Sequence, residues 1–370
     1  MKEIRVTSGN GADIQNAIGQ LGDEGGKVVV GPGRYYTGTI YLKSRVELFL
    51  SEGAVLEGRT KPEDYDDVLT DELEVAPEKS RKALLVACNA DRIAVTGPGM
   101  INGNGVHFFN PENIQWGFYR KPDHPRPRMI EFCNCSNVRL EGITLKDCPN
   151  WTVWLTGCRQ VYCGNLRVEG CQMMLNNDGI DIDGCSDVTL ENCRFKTADD
   201  CIVLRAIRQK ADRSAVCERV TIRNCILDSR CNGIRIGCPS DDTIRNCVIE
   251  NIVFAGEGSG IAADNPLGYV RNNASLDLSN IICRNLKLDC VHSPLIIRVD
   301  EVLALRRISD IRFEDVVGKG GQPSIFRGSP RTFLDRISLK NIDLSCNDVR
   351  LFEAVNCDLR FDNCRLSAGQ

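Results

Sequence analysis

The sequence predicts an all-β fold, a single-domain solenoid of stacked β-coils over residues 1–370 with a short N-terminal capping helix. Three observations predict it: a strand template that recurs along the chain, an Asn that closes most copies, and a small apolar residue behind that Asn. Alternating apolar and polar residues over a few positions mark a strand. A strand that returns at a fixed period, with no helical stretch between copies, marks a β-solenoid.

Residues 1–25 form the expected cap. Asp13-Ile14-Gln15-Asn16-Ala17-Ile18 reads as a short amphipathic helix with an Asp cap, placed over the first coil, whose strand edges would otherwise be exposed. Early relatives of the template start at Val46 and Ile93. Clear copies follow from Val138, Val161, Val188, Val220, Ile281, Ile311, Ile337 and Leu359, with a weaker one at Asp242-Thr243-Ile244-Arg245-Asn246. Successive starts lie 22 to 47 residues apart, which gives a basic coil of about 22 residues with added loops and two double steps. The closing residue (Asn165, Asn192, Asn224, Asn285, Asn341, Asn363) is expected in the left-handed conformation that Asn tolerates where a strand turns sharply. Behind it come Cys193, Cys225, Cys247 and Cys364, or Ile143, Leu166, Leu286 and Ile342, an inward stack in which Cys acts as a small hydrophobe.

Composition bounds the function. With 46 Lys+Arg against 50 Asp+Glu the net charge is -4, which gives no reason to expect nucleic acid as a partner. The chain is 42% apolar, enough for a buried core, and no apolar run is long enough to span a membrane. Met1-Lys2-Glu3-Ile4-Arg5 lacks the basic-then-apolar pattern of a signal peptide, so the expected location is cytoplasmic. The 20 cysteines are then read as reduced and mostly buried, and no paired CxxC spacing argues for zinc.

A second column carries the chemistry. Asp178-Gly179-Ile180-Asp181-Ile182-Asp183 aligns with Asp200-Cys201-Ile202-Val203-Leu204-Arg205, Asn232-Gly233-Ile234-Arg235-Ile236-Gly237 and Ser259-Gly260-Ile261-Ala262-Ala263-Asp264. Alternation turns the aliphatic positions inward and the others outward, toward water. Asp178 and Asp200 lie one uninterrupted coil apart and Asp199 precedes Asp200, so three carboxylates are expected on adjacent coils. Like charges that close favour one acid protonated beside ionised partners with room for a water, the equipment of an inverting glycosidase. A calcium site built from the same oxygens, and aspartates that merely decorate turns, are the competing readings. Asp187 and Asp310 are assigned to turns.

With these residues in view, the sequence resembles glycoside hydrolase family 28, the polygalacturonase family. Asn176-Asn177-Asp178 resembles its Asn-Thr-Asp signature and Thr197-Ala198-Asp199-Asp200 its Asp-Asp signature, at the expected separation. Gly25 to Tyr35, Gly97 to Gly103 and Pro149 to Trp154 are also typical. The resemblance implies a right-handed parallel β-helix that cleaves glycosidic bonds in pectin-derived, uronate-containing oligosaccharides without a cofactor or metal. It implies Asp199 as general acid, Asp178 and Asp200 as the pair that binds and activates water, and Asp181 as a contact to sugar hydroxyls. Two signatures depart from the pattern. Asn232 stands where a His is expected, and Gly260-Ile261-Ala262 replaces the Arg-Ile-Lys that holds a galacturonate carboxylate. Arg235 and Arg205 are candidates for a different anion clamp, with Asp183 beside them.

The insertion from Asn104 to Arg128 holds Trp116, His124 and further aromatic and basic residues, and is read as a substrate-side wall that favours exo action. Two other classes stay open. One is a lyase or uronate epimerase using calcium and an Arg base, and the other is a non-catalytic carbohydrate-binding solenoid.

Overall fold

The fold was analysed in a computed structural model, which describes residues 2–68, 73, 77–210, 212–269, 276–348 and 350–368. The chain divides into two compact units, Met1–Asp181 with Cys193–Asp199, and Ile182–Asn192 with Asp200–Gln370. Each unit is built of parallel β-coils, so the fold is the all-β parallel β-helix that the template predicts. Among the described residues no helix is long and apolar enough to cross a membrane.

In the first unit one sheet runs through Glu3–Val6, Gly26–Val30, Val46–Leu50, Asp91–Thr96, Ser136–Glu141 and Arg159–Gly164. Its register stacks Val28, Leu48, Val95, Leu140 and Cys163 in one buried row. Each large aliphatic side chain so buried contributes roughly 1.5–3 kcal/mol. A second sheet, Ile40–Tyr41, Ala83–Cys88, Arg128–Cys133 and Val153–Thr156, closes the coils.

The capping helix α1 is longer than the sequence reading and starts earlier, at Gly11–Gln20. Its cap is Asn10, not Asp13. The Asn10 side chain accepts from Ala12 N, while Asp13, at the third helical position, accepts from Asn10 N at 2.8 Å. Such a reciprocal box satisfies two backbone donors that a lone Asp cap leaves open. Ile14, Ala17 and Ile18 face the core. Gln15 pairs with both backbone groups of Tyr41, donating to its carbonyl at 3.1 Å and accepting from its N–H at 2.7 Å. That side chain blunts the free edge of the second sheet.

The second unit is more regular. Long strands Cys217–Ser229, Thr243–Gly256, Asp277–Cys290, Arg307–Gly320, Leu334–Cys346 and Cys357–Ala368 pair in order. Each carries a left-handed residue near its middle (Asn224, Asn251, Asn285, Asp315, Asn341, Asn363), which bends the strand as the sequence predicts. The weak template copy is corrected by the structure. Ile222 pairs with Ile249 and Asn251 donates to Asn224 at 2.9 Å, so the true copy is Cys247–Asn251, five residues beyond Asp242–Asn246. The inward column is therefore Cys225, Ile252, Leu286, Val316, Ile342 and Cys364, and Cys247 packs instead in the row of Ile281. All 20 cysteines are free thiols and 15 are buried, where desolvation pushes thiols such as Cys163 and Cys247 up to about 12.

Candidate active site

The first unit holds Asp178, Asp181 and Asp199. Strand Ile180–Asp183 brings Asp181 out of the turn that contains Asn176, Asn177 and Asp178. The carbonyl of Asp178 accepts from Thr152 N, which ties the turn to the neighbouring coil. Asn177 is buried, and its Oδ1 accepts from both Ala198 N (2.8 Å) and Asp199 N (3.1 Å). Its Nδ2 donates to Cys171 O. Gly170 is required beside it, since a Cβ there would lie 2.7 Å from Asn177 Nδ2. Asn176 sits at φ 61 and offers its backbone N (3.1 Å) and its Nδ2 (3.5 Å) to Asp199 Oδ2. Thr197 Oγ1 donates to Asp199 O. Backbone and carboxylate of Asp199 are thus both held by the turn preceding Asp178.

Beneath that turn lies Arg126, whose side chain is 2% exposed. Nη1 donates to Pro149 O (2.8 Å) and Leu175 O (2.9 Å), and Nη2 donates to Asn176 Oδ1 (3.0 Å). Burial pushes this guanidinium down, while Glu78, Cys148, Asp199 and Asp178 push it back up. Sequence reasoning missed Arg126, Asn176 and Asn177 as site residues. The visible signals were an Arg locked between Pro125 and Pro127, and a doubled Asn directly before an Asp.

The second unit holds Asp200, Asp183, Arg205, Asn232 and Arg235. The register Ile202↔Ile234 and Asn232↔Ser259 is the one the sequence alignment predicts. Asn232 Nδ2 donates to Asp200 Oδ1 at 2.7 Å, so the residue in the expected His position does bond a site carboxylate. Arg235 Nη1 lies 3.8 Å from Asp200 Oδ2, its Nη2 donates to Cys238 Sγ, and its guanidinium lies 6.0 Å from the Tyr269 ring centre. Its Nε is buried with no hydrogen-bond partner. Burial opposes the charge on Arg235, but Asp200, Cys238 and Cys231 together raise its pKa.

The expectation that the outer column faces water does not hold. Asp178, Asp181, Asp183, Asp200, Arg205 and Asn232 are all buried. Following segments cover two of them: Asp183 Oδ1 accepts from Ile207 N at 2.8 Å, and Arg205 Nη1 donates to Cys238 O at 3.0 Å. Asp183 and Arg205 therefore anchor covering segments, and Arg205 is not placed as an anion clamp.

The insertion is folded rather than an open loop. It contains a 3-10 turn, Gly105–Phe108, and a small hairpin of Ile114–Gln115 with Phe118–Tyr119. Trp116 and Gly117 both have positive φ, as a two-residue hairpin turn demands. Trp116 is 84% exposed and is not among the residues that line the cavity with His124. His124 joins His107, Phe109, Asn113, Arg120 and Lys121 around a cavity of about 330 Å3. Tyr119 N donates to Met173 O, which ties the hairpin to the segment leading into Asn176.

The family model of glycosyl hydrolases family 28 matches residues 55–324. A probable polygalacturonase of Arabidopsis thaliana is 26% identical over 235 residues, covering 60% of this chain and 45% of that protein. An endo-polygalacturonase of Pectobacterium carotovorum is 21% identical over 350 residues, covering 90% of this chain and 83% of that protein. The chain spans about half the length of the plant relatives it matches. The crystal structure of a hyperthermoactive exopolygalacturonase from Thermotoga maritima superposes with a TM-score of 0.80 at 19% identity, covering 100% of this chain and 92% of that one, and supports the fold.

Proposed function

Because the chain belongs to glycosyl hydrolases family 28, we propose that it hydrolyses glycosidic bonds in pectin-type, uronate-containing oligosaccharides with inversion, acting from a chain end. The observation that carries this reading is the grip on Asp199. Donors from Asn176 hold Oδ2 and donors to Asn177 hold the backbone, so a proton on Oδ1 has a defined direction. In the reaction Asp199 protonates the glycosidic oxygen as its bond to the anomeric carbon breaks. A water attacks that carbon from the opposite face, and Asp178 or Asp200 takes its proton. Asn232 and Arg235 surround Asp200 with donors, which suits a carboxylate that orients water. Asp181 is fully buried, so the contact to sugar hydroxyls that the resemblance implies is not part of this reading.

The anionic substrate follows from charge. Arg235 stands in for the family's missing carboxylate clamp, and the part of its guanidinium left accessible beside Asp200 and Tyr269 is what a uronate would meet. The cavity of the insertion is lined by Arg120, Lys121, His107 and His124 with Phe108, Phe109 and a single carboxylate, Asp123, a basic excess that suits an acidic sugar. Exo action rests on the insertion, whose hairpin is fastened through Tyr119 N to Met173 O just before the acid's turn, where it would wall off one side of the bound sugar. A lyase using Arg235 as base is disfavoured physically. A base must give up its proton, and Asp200 and Cys238 make Arg235 hold its proton more tightly.

The test incubates the protein and Asp199→Asn with oligogalacturonides and neutral oligosaccharides, with and without a chelator, and reads products by mass spectrometry. Expected are products heavier by one water, monomer first, insensitive to chelator and lost in Asp199→Asn. Unsaturated products that need calcium, or turnover of neutral substrates alone, would overturn the reading.

A further inference from the structure

We infer that Arg126 is a positioning residue for catalysis: it orients the Asn176 amide so that its N–H side faces Asp199. The inference rests on Asp199 being the general acid. A guanidinium taken out of water is costly unless its donors are satisfied. Arg126 spends its donors on two carbonyls and one amide oxygen, contributed by Pro149, Leu175 and Asn176. The carbonyl bonds fix where the guanidinium sits, and the third bond uses that position.

An Asn amide has an acceptor end and a donor end of nearly the same shape, and its surroundings decide which way it points. Nη2 of Arg126 is a donor and selects Oδ1 of Asn176. The Nδ2 end is thereby turned to Asp199 Oδ2 at 3.5 Å, beside the Asn176 backbone N at 3.1 Å. With the amide reversed, its oxygen would face the carboxylate and push the acid off its line to the leaving oxygen. An acid displaced by about 1 Å can cost on the order of 100-fold in rate. The backbone of Arg126 is itself fixed, because it lies between Pro125 and Pro127 and its carbonyl accepts from Ser80 Oγ and Asn150 Nδ2. Phe109 lies against the guanidinium, 5.3 Å from ring centre to Cζ, and also lines the cavity of the insertion. One residue therefore touches both the anchor of the acid and the wall of that cavity.

Leaving-group dependence separates positioning from structure. An aryl galacturonide with a nitrophenolate leaving group needs little protonation, whereas an oligogalacturonide needs full help from the acid. In Arg126→Met, kcat on the oligosaccharide is expected to fall about 100-fold with KM within about twofold, while kcat on the aryl substrate falls less than about fivefold. Arg126→Lys keeps a charge but lacks the fork, and should recover only part of the loss. Asn176→Ala, which leaves Arg126 in place, should show the same split and serves if Arg126→Met does not fold. Equal losses on both substrates, or no loss on either, would overturn the proposal. If Asp199→Asn itself shows no leaving-group dependence, the acid assignment fails instead, and a wild type inert on both substrates overturns the hydrolase reading and this inference with it.

Discussion

Asn176 and the ladder Asn192, Asn224, Asn251 and Asn285 have the same residue type at the same positive φ, yet they use their amides in opposite ways. In the ladder each Nδ2 donates to the Oδ1 of the preceding rung, at 3.1, 2.9 and 2.6 Å, and the amides end on one another. At Asn176 the amide lies between a buried guanidinium and an aspartate. The left-handed turn is therefore only a way of bending the chain, and the partner of the amide separates scaffold from chemistry. Two buried arginines repeat the lesson two residues apart. Arg128 meets Glu131 Oε2 at 2.7 Å and lies over Trp154, wholly inside the coil, whereas Arg126 reaches toward the acid's turn.

The comparison breaks most visibly at Asp199. Asp199→Asn keeps the acceptor for Asn176 but has no proton to give, so turnover of oligogalacturonides should fall about 10²–10⁴-fold at an unchanged melting temperature. A fall in thermal stability matching the fall in rate would put Asp199 on the scaffold side. Next in size is the Arg128–Glu131 pair. Glu131→Leu leaves a buried guanidinium without its carboxylate, and urea unfolding should show a loss of about 3–5 kcal/mol. The double variant Arg128→Met/Glu131→Leu should recover much of that, because no charge is then stranded. If the double is as unstable as the single, the pair is not what holds those strands.

The ladder supplies the third contrast. Asn251→Ala removes two exposed amide hydrogen bonds and leaves φ 56 to a residue that tolerates the left-handed conformation less well than Asn, so a loss of about 1–2 kcal/mol is expected, with kcat unchanged. A rate defect in Asn251→Ala as large as that of Asn176→Ala would remove the distinction between the two regions.

How far the sequence could go follows from the same residues. The coil template was legible because a period-2 pattern and its closing Asn are local properties. The slip of five residues at Asp242–Asn246 came from a local likeness. Thr243-Ile244-Arg245-Asn246 repeats Thr221-Ile222-Arg223-Asn224 letter for letter, but the ladder pairs Asn224 with Asn251. Register is decided by contacts between coils, which no single strand contains. The aspartates were legible by spacing and their burial was not, because Ile207 N and Cys238 O arrive from other segments to cover Asp183 and Arg205. Arg126 was hidden for the same reason, since its partners lie 23 to 50 residues away.

The smallest effect tests an acid outside the site, which the sequence assigned to a turn and the structure puts at a left-handed position inside the strand Arg307–Gly320. Asp310 sits at φ 57, and Arg336 donates to both its oxygens at 2.7 Å, which holds its carboxyl down at about 2. A carboxylate with a depressed folded-state pKa stabilises the protein above its unfolded pKa of about 3.9, and loses that contribution as pH falls through about 2. Arg336→Met should therefore lower stability slightly at pH 5, and the gap to wild type should close as the pH approaches 2. The pair is exposed, so salt should shrink the gap as well. A gap that persists unchanged below pH 2, or that ignores salt, would mean that the Arg336 stem acts by packing and that the charge on Asp310 is incidental. Turnover should be indifferent to Arg336→Met throughout, which is what sets Asp310 apart from Asp199.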